Sequence, residues 1–173
     1  MAYGGLRAGE VGGLRLADID FGRSQVHISQ QVVRVTGDGL RVTVPKTQAA
    51  RRVVTLPRSV VKELRDYVAE NPPTSDGLVF KGRDGRMRDA VRINDALQSA
   101  ARRAGIKAHA HQLRHTAVSM WIADGASPLD VQRMVGHSDV KIMLGQYAHL
   151  FSYGGRELAE SIERRREEHR NAR

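Results

Sequence analysis

HAHQLRHT, residues 109–116, places three histidines and one arginine within eight residues. His111 and His115 have the i, i+4 spacing by which a helix presents two imidazoles to a zinc ion. The stretch lacks the glutamate that a zinc protease helix uses as a base, and the charge of Arg114 repels a dication. No metal is expected here, and no other cofactor. Arg114 offers instead a planar fork for two phosphate oxygens, and a neighbouring imidazole can donate or accept a proton. The octapeptide alone leaves two readings equally open. One is a phosphate site. The other is a histidine-rich helix start whose side chains are satisfied locally.

The rest of the chain narrows the choice. Its 173 residues suit one domain with a sizeable core, and 40% of them are hydrophobic. No apolar run approaches the roughly 18 residues of a membrane span. No basic-then-apolar leader is present, so a soluble, cytoplasmic, nucleoid-associated protein without a membrane partner is expected. The absence of cysteine excludes disulfides, thiolate zinc sites and Fe–S clusters. The net charge is +9, and a basic domain points to a polyanionic partner, most often nucleic acid. The charge is uneven. From Arg34 to Arg65 there are eight Lys or Arg against two acids, Asp38 and Glu63.

Patterning predicts a mixed α+β fold, mainly helical. Residues 7–16 suggest a short helix despite their glycines. QVHISQQVVRV (25–35) alternates like one strand, TGDG turns, and LRVTVP and RVVTLP read as two more. Residues 25–57 are therefore expected to form a three-stranded antiparallel sheet, with KTQAAR joining its last two strands. Pro57 and Ser59 open a helix that Pro72 and Pro73 end. A loop-like stretch from Thr74 to Arg86 contains the short apolar run LVF. Helices follow over 88–104, closed by Gly105, and over 111–124, with Val118, Trp121 and Ile122 as core. Ser127-Pro128 starts another, and 139–148 a third. From Tyr153 a terminal helix turns wholly polar.

Three further stretches bear on the histidines: GGLRAGE with Arg7, PKTQAARR with Lys46, and VGHSDVKIMLGQYAHL with His137 and Tyr147. In this order, GLRxxE, PKT, HQLRHT, GHS and a late YAH, the chain resembles the catalytic domain of the tyrosine recombinases, the phage-integrase family. The resemblance covers roughly residues 3–150. Each motif is weak alone; five in order at the right spacing are specific. The resemblance implies a catalytic domain over 1–152 and a C-terminal tail over 153–173 that docks on a neighbouring subunit. It implies cleavage and rejoining of double-stranded DNA through a 3′-phosphotyrosyl intermediate, in a homotetramer on DNA. Tyr147 would be the nucleophile. Arg7 and Arg114 would clamp the scissile phosphate, His111 would assist proton transfer and hydrogen-bond the phosphate, and His137 would hold the position of the family's second His or Trp. Lys46 would protonate the leaving 5′ oxygen, and Glu10 and His115 would support the site.

Physical chemistry agrees with these roles. The transition state of phosphoryl transfer gathers charge on its equatorial oxygens, which fixed guanidinium groups stabilise. A tyrosine hydroxyl, with a pKa of about 10, is a poor nucleophile until a base or positive charge assists it. A phosphotyrosyl bond retains the energy of the broken linkage, so rejoining needs neither ATP nor metal. Gly4, Gln112 and Met143 depart from residue types frequent in the family, but none is a proposed catalytic position. The N-terminal helical domain that family members usually carry has no counterpart here, so an excised domain or a truncated product is expected. Rival readings are a non-catalytic DNA-binding fragment, a type IB topoisomerase and, from charge alone, an RNA-binding protein.

Overall fold

The computed structural model describes residues 1–45, 47–137, 139–151 and 155–171. The chain opens with a short helix, α1 (Ala8–Gly12). Glu10 reaches back to accept from the Arg7 amide at 2.8 Å, which satisfies a donor that a helix start leaves free. The helix tolerates its glycines because its neighbours come close. A Cβ at Gly12 would meet the Arg88 carbonyl oxygen at 2.2 Å.

The strands are β1 (Ile19–Asp20), β2 (Gln25–Ile28), β3 (Gln31–Val35), β4 (Gly39–Thr43) and β5 (Arg52–Thr55). The alternation over 25–35 predicts one strand, but the structure has two, in different sheets. β2 lies between β1 and β5 in an antiparallel three-stranded sheet, while β3 and β4 form a separate two-stranded hairpin. At the break, Gln30 Nε2 donates to the Gly13 carbonyl at 2.7 Å and Ser29 Oγ to Asp18 Oδ1 at 3.0 Å. These bonds tie the chain to α1 and to the turn after it, and a period of two carries no trace of them. The three-stranded sheet is therefore not the one expected over 25–57: β1 is a member in place of β4, and β4 and β5 belong to different sheets.

The helices follow the sequence closely. They are α2 (Arg58–Glu70), α3 (Ala90–Arg103), α4 (Ala110–Ala123), α5 (Pro128–Val135), α6 (Val140–Tyr147) and α7 (Gly155–Asn171). Asp89, Ser127 and Asp139 cap α3, α5 and α6 by accepting backbone N–H bonds. His109 caps α4: its Nδ1 accepts from the Gln112 amide at 3.4 Å, and Gln112 Oε1 accepts in return from the His109 amide at 3.2 Å. In the loop after α2, Leu78 and Val79 are fully buried.

Two apolar clusters hold the fold. The first joins α1, the three-stranded sheet and α3 through Leu6, Val11, Val26, Ile28, Val54 and Ile93. The second joins α4, α5 and α6 through Val118, Ile122, Val131, Val135, Met143 and Tyr147, with Trp121 packed against it. Burying each such side chain contributes about 1.5–3 kcal/mol. β5 also contacts α5, and the candidate site lies along that junction.

Candidate active site

The C-terminus of α5 organises the site. Gly136 adopts a left-handed backbone, φ +74°, and a Cβ there would lie 3.0 Å from the Ala49 carbonyl oxygen and from the Arg52 guanidinium. Glycine therefore ends the helix and turns the chain to present His137. Two carbonyls of the last turn accept from arginines of other elements. Arg52 Nε donates to Met134 at 2.7 Å and Arg114 Nη2 to Val135 at 2.8 Å. A helix C-terminus carries partial negative charge and favours cations there.

Arg114, on α4, is 6% exposed. Its Nη1 also donates to the Gly5 carbonyl. The loop before α1, α4 and the end of α5 thus converge on one guanidinium. Burial, and then the positive Arg7 and Arg52, push its pKa down to about 10, against the opposing pull of Glu10 and Tyr147. It remains protonated at neutral pH.

Glu10 is buried and sits between two arginines. Arg7 Nη1 donates to Oε1 at 2.9 Å, and Arg52 donates to both carboxylate oxygens at 2.9 Å. Burial alone would raise the Glu10 pKa, but the bonds and charges of Arg52 and Arg7 outweigh it and hold the carboxyl below its ordinary value. The Arg52 side chain is only 5% exposed. In the sequence Arg52 is only one of the eight Lys or Arg between Arg34 and Arg65, with no assigned role. A signal was available: Val54 points inward on β5, so the residue two before it shares the inward face.

Glu10→Ala leaves Arg52 buried without its carboxylate and is expected to cost about 3–5 kcal/mol. A folded pKa below the unfolded one contributes stability above the ordinary glutamate range, lost as pH falls through the folded value. Urea unfolding should show a large gap between wild type and variant at neutral pH. That gap should close in acid.

Tyr147 ends α6, with its ring inside the second cluster and 6% of the residue exposed. Its hydroxyl bonds His115 Nδ1. His115 Nε2 in turn lies 2.8 Å from His111 Nε2. The two imidazoles that the i, i+4 spacing would aim at a metal bond each other instead. Burial raises the Tyr147 pKa, against the lowering influence of Arg114. Burial, then His111, Arg114 and His109, lower that of His115. His137 is pushed down to about 4 by burial, then by Arg114, Arg7 and Arg52. It is neutral at pH 7, and its buried Nδ1 has no hydrogen-bond partner among the described residues.

The structure thus brings together Arg7, Glu10, His111, Arg114, His115, His137 and Tyr147, although they span most of the sequence. Lys46 lies outside the described residues. His115 stands closer to the tyrosine than its supporting place in the sequence reading implies.

Residues 1–152 match the model of the phage integrase family. The chain belongs to that family. It is 29% identical to the integrase of Staphylococcus phage L54a, over 94% of this chain and 49% of that protein. It is 28% identical to a XerC-like tyrosine recombinase of Caldanaerobacter subterraneus subsp. tengcongensis, over 87% of this chain and 44% of that protein. The chain therefore spans about half the length of these curated relatives. Its fold superposes on the Tn1549 transposon integrase, solved in complex with transposon right-end DNA. The TM-score is 0.76 at 22% identity, over 94% of this chain and 55% of that one. Among the described residues no helix is long and apolar enough to cross a membrane.

Proposed function

We propose that this chain is the catalytic domain of a site-specific DNA recombinase, which cleaves and rejoins double-stranded DNA through a covalent 3′-phosphotyrosyl intermediate. The observation that carries the reading is Arg114 beside Tyr147, with Arg7 and His137 next to Arg114 and His115 on the tyrosine hydroxyl. A cluster of guanidinium groups beside a tyrosine hydroxyl suits an anionic phosphodiester, with the nucleophile already in place.

In this mechanism Arg7 and Arg114 hold the non-bridging oxygens and stabilise the charge that grows on them. Arg114 is held by backbone carbonyls, and Arg7 by Glu10, so little reorganisation accompanies the reaction. His111, exposed at the start of α4, and His137 hydrogen-bond the phosphate; His137 does so as a neutral ring. The Tyr147 oxygen attacks phosphorus and the bond to the 5′ oxygen breaks. Lys46 gives that oxygen its proton. Rejoining runs the same steps in reverse. Covalent capture tests the proposal: a nicked duplex loses the short strand behind the cleaved phosphate, traps the adduct, and leaves a denaturant-resistant protein–DNA band. Absence of the band from a protein that still shifts DNA in a gel would favour a non-catalytic binding fragment.

Recombination by this chemistry joins two DNA sites, for which a homotetramer is the natural assembly. The tail is the proposed contact. Ile162 on α7 is 52% exposed among charged neighbours, an apolar residue suited to docking on a second copy. Tyr153 and Gly154 lie outside the described residues. Deleting residues 153–173 is expected to abolish higher-order assembly on DNA, read by light scattering, with the thermal melt of the domain unchanged. Unchanged assembly would refute the docking role.

A further inference from the structure

We propose that His115 is itself a catalytic residue: it takes the proton of the Tyr147 hydroxyl as that oxygen attacks phosphorus, and relays it toward His111. The inference rests on reading the site as a DNA strand transferase, and moves the first proton transfer from His111, to which the family resemblance gives it, to His115, which the tyrosine hydroxyl meets.

Two consecutive hydrogen bonds carry it. Tyr147 Oη meets His115 Nδ1, and His115 Nε2 meets His111 Nε2 at 2.8 Å. A tyrosine that donates determines every other proton in the chain. His115 Nδ1 is then the acceptor, so its Nε2 carries the hydrogen and donates to His111 Nε2. His111 keeps its own hydrogen on Nδ1. The chain runs from the hydroxyl of Tyr147, a residue only 6% exposed, to His111, which is exposed.

The groups facing His115 favour a neutral ring. They are His109, His111 and Arg114 on its own helix or at its cap, and Tyr147 from α6. Lys107, from the loop before α4, lines the same surface groove. None of these is an anion that would hold a proton on the ring in advance. An imidazole kept neutral beside a hydroxyl that burial keeps protonated is a base paired with its acid.

The step balances. The bond from Oη to phosphorus forms, the bond from phosphorus to the 5′ oxygen breaks, and the Oη proton moves to His115 Nδ1. The Nε2 proton of the resulting imidazolium passes to His111, which holds the positive charge nearest solvent. Lys46 supplies a separate proton to the 5′ oxygen. In rejoining, the histidine pair returns its proton to the departing tyrosine. Cleavage and rejoining thus use the same two proton carriers in opposite directions.

The test uses a library of nicked duplexes randomised across the recognition arm, with single-turnover capture of the adduct by wild type, His115→Ala and His115→Asn. Asparagine retains an acceptor for the tyrosine hydroxyl but cannot take its proton, which separates positioning from proton transfer. Both variants are expected to lose about 10²- to 10⁴-fold in rate at neutral pH. The deficit should shrink by about tenfold per pH unit as pH rises toward the ionisation of the Tyr147 hydroxyl, which burial raises above the ordinary tyrosine value. Recovery at high pH also demonstrates that the variants are folded. A 5′-bridging phosphorothiolate, whose sulfur leaves without a proton, should restore Lys46→Ala and leave the His115 variants slow. A deficit independent of pH would reduce His115 to a structural part and overturn the proposal. So would rescue by sulfur, an undiminished rate, or faster cleavage, which would make the bond to Tyr147 a lock. Absence of adduct from wild type across the whole library would instead remove the strand-transfer reading, and the relay with it.

Discussion

Tyr147→Phe is expected to abolish covalent capture of nicked DNA while DNA binding and the fold persist. The substitution keeps the ring that packs among Val118, Ile122, Val131, Val135 and Met143 and removes only the hydroxyl. The stability change should stay near ~1 kcal/mol, the net value of one hydrogen bond to His115. The rate should fall by at least about 10⁴-fold, because the group that forms the covalent bond is gone and no neighbour can replace it. Tyr67, stacked on Phe80 at a centroid distance of 5.3 Å, belongs to the first cluster and offers no substitute. The measurement is a denaturing gel of the suicide-substrate reaction beside a native gel shift. Adduct from the phenylalanine variant would place the nucleophile elsewhere and sink the proposed mechanism.

Arg114→Lys is expected to damage both stability and catalysis, although charge is retained. The guanidinium donates to two carbonyls on separate elements, Gly5 before α1 and Val135 at the end of α5. A lysine ammonium is a compact point charge without the planar fork that spans both. One buried carbonyl is then left unpaired, which costs about 1–3 kcal/mol. Catalysis should fall further, by roughly two to three orders of magnitude, because a fixed donor aimed at the growing phosphate charge is lost. Thermal melts and single-turnover capture on the same preparations separate the two effects. Normal cleavage by a destabilised variant would show that Arg114 serves the fold alone.

Much of the architecture is legible along the chain. The caps Asp89 and Ser127, Pro128 at a first helical turn and Gly136 past a last one mark helix ends through local backbone chemistry. That chemistry depends on neighbours within four residues, which sequence displays directly. The sheet is less legible. The alternating stretch 25–35 breaks at Ser29 and Gln30 because both side chains bond residues 11 and 17 positions away, and no local pattern encodes such a partner.

The site divides along the same line. The sequence by itself determined the family: the motifs that hold Arg7, His111, Arg114, His137 and Tyr147 stand in its order, and they nominate the residues of the proposed site. The tertiary structure decided the connections. Arg52 reads as one more cation in a basic run until β5 turns it inward onto Glu10 and the end of α5. His115 reads as a secondary histidine until α6 sets the Tyr147 hydroxyl against its Nδ1. Both roles arise from pairings between elements, 42 and 32 residues apart. Their energies exist only once packing has excluded water and fixed the geometry. Residue types and spacing carry chemistry along the chain; which groups share a proton or a charge follows from burial and distance, which only folding creates.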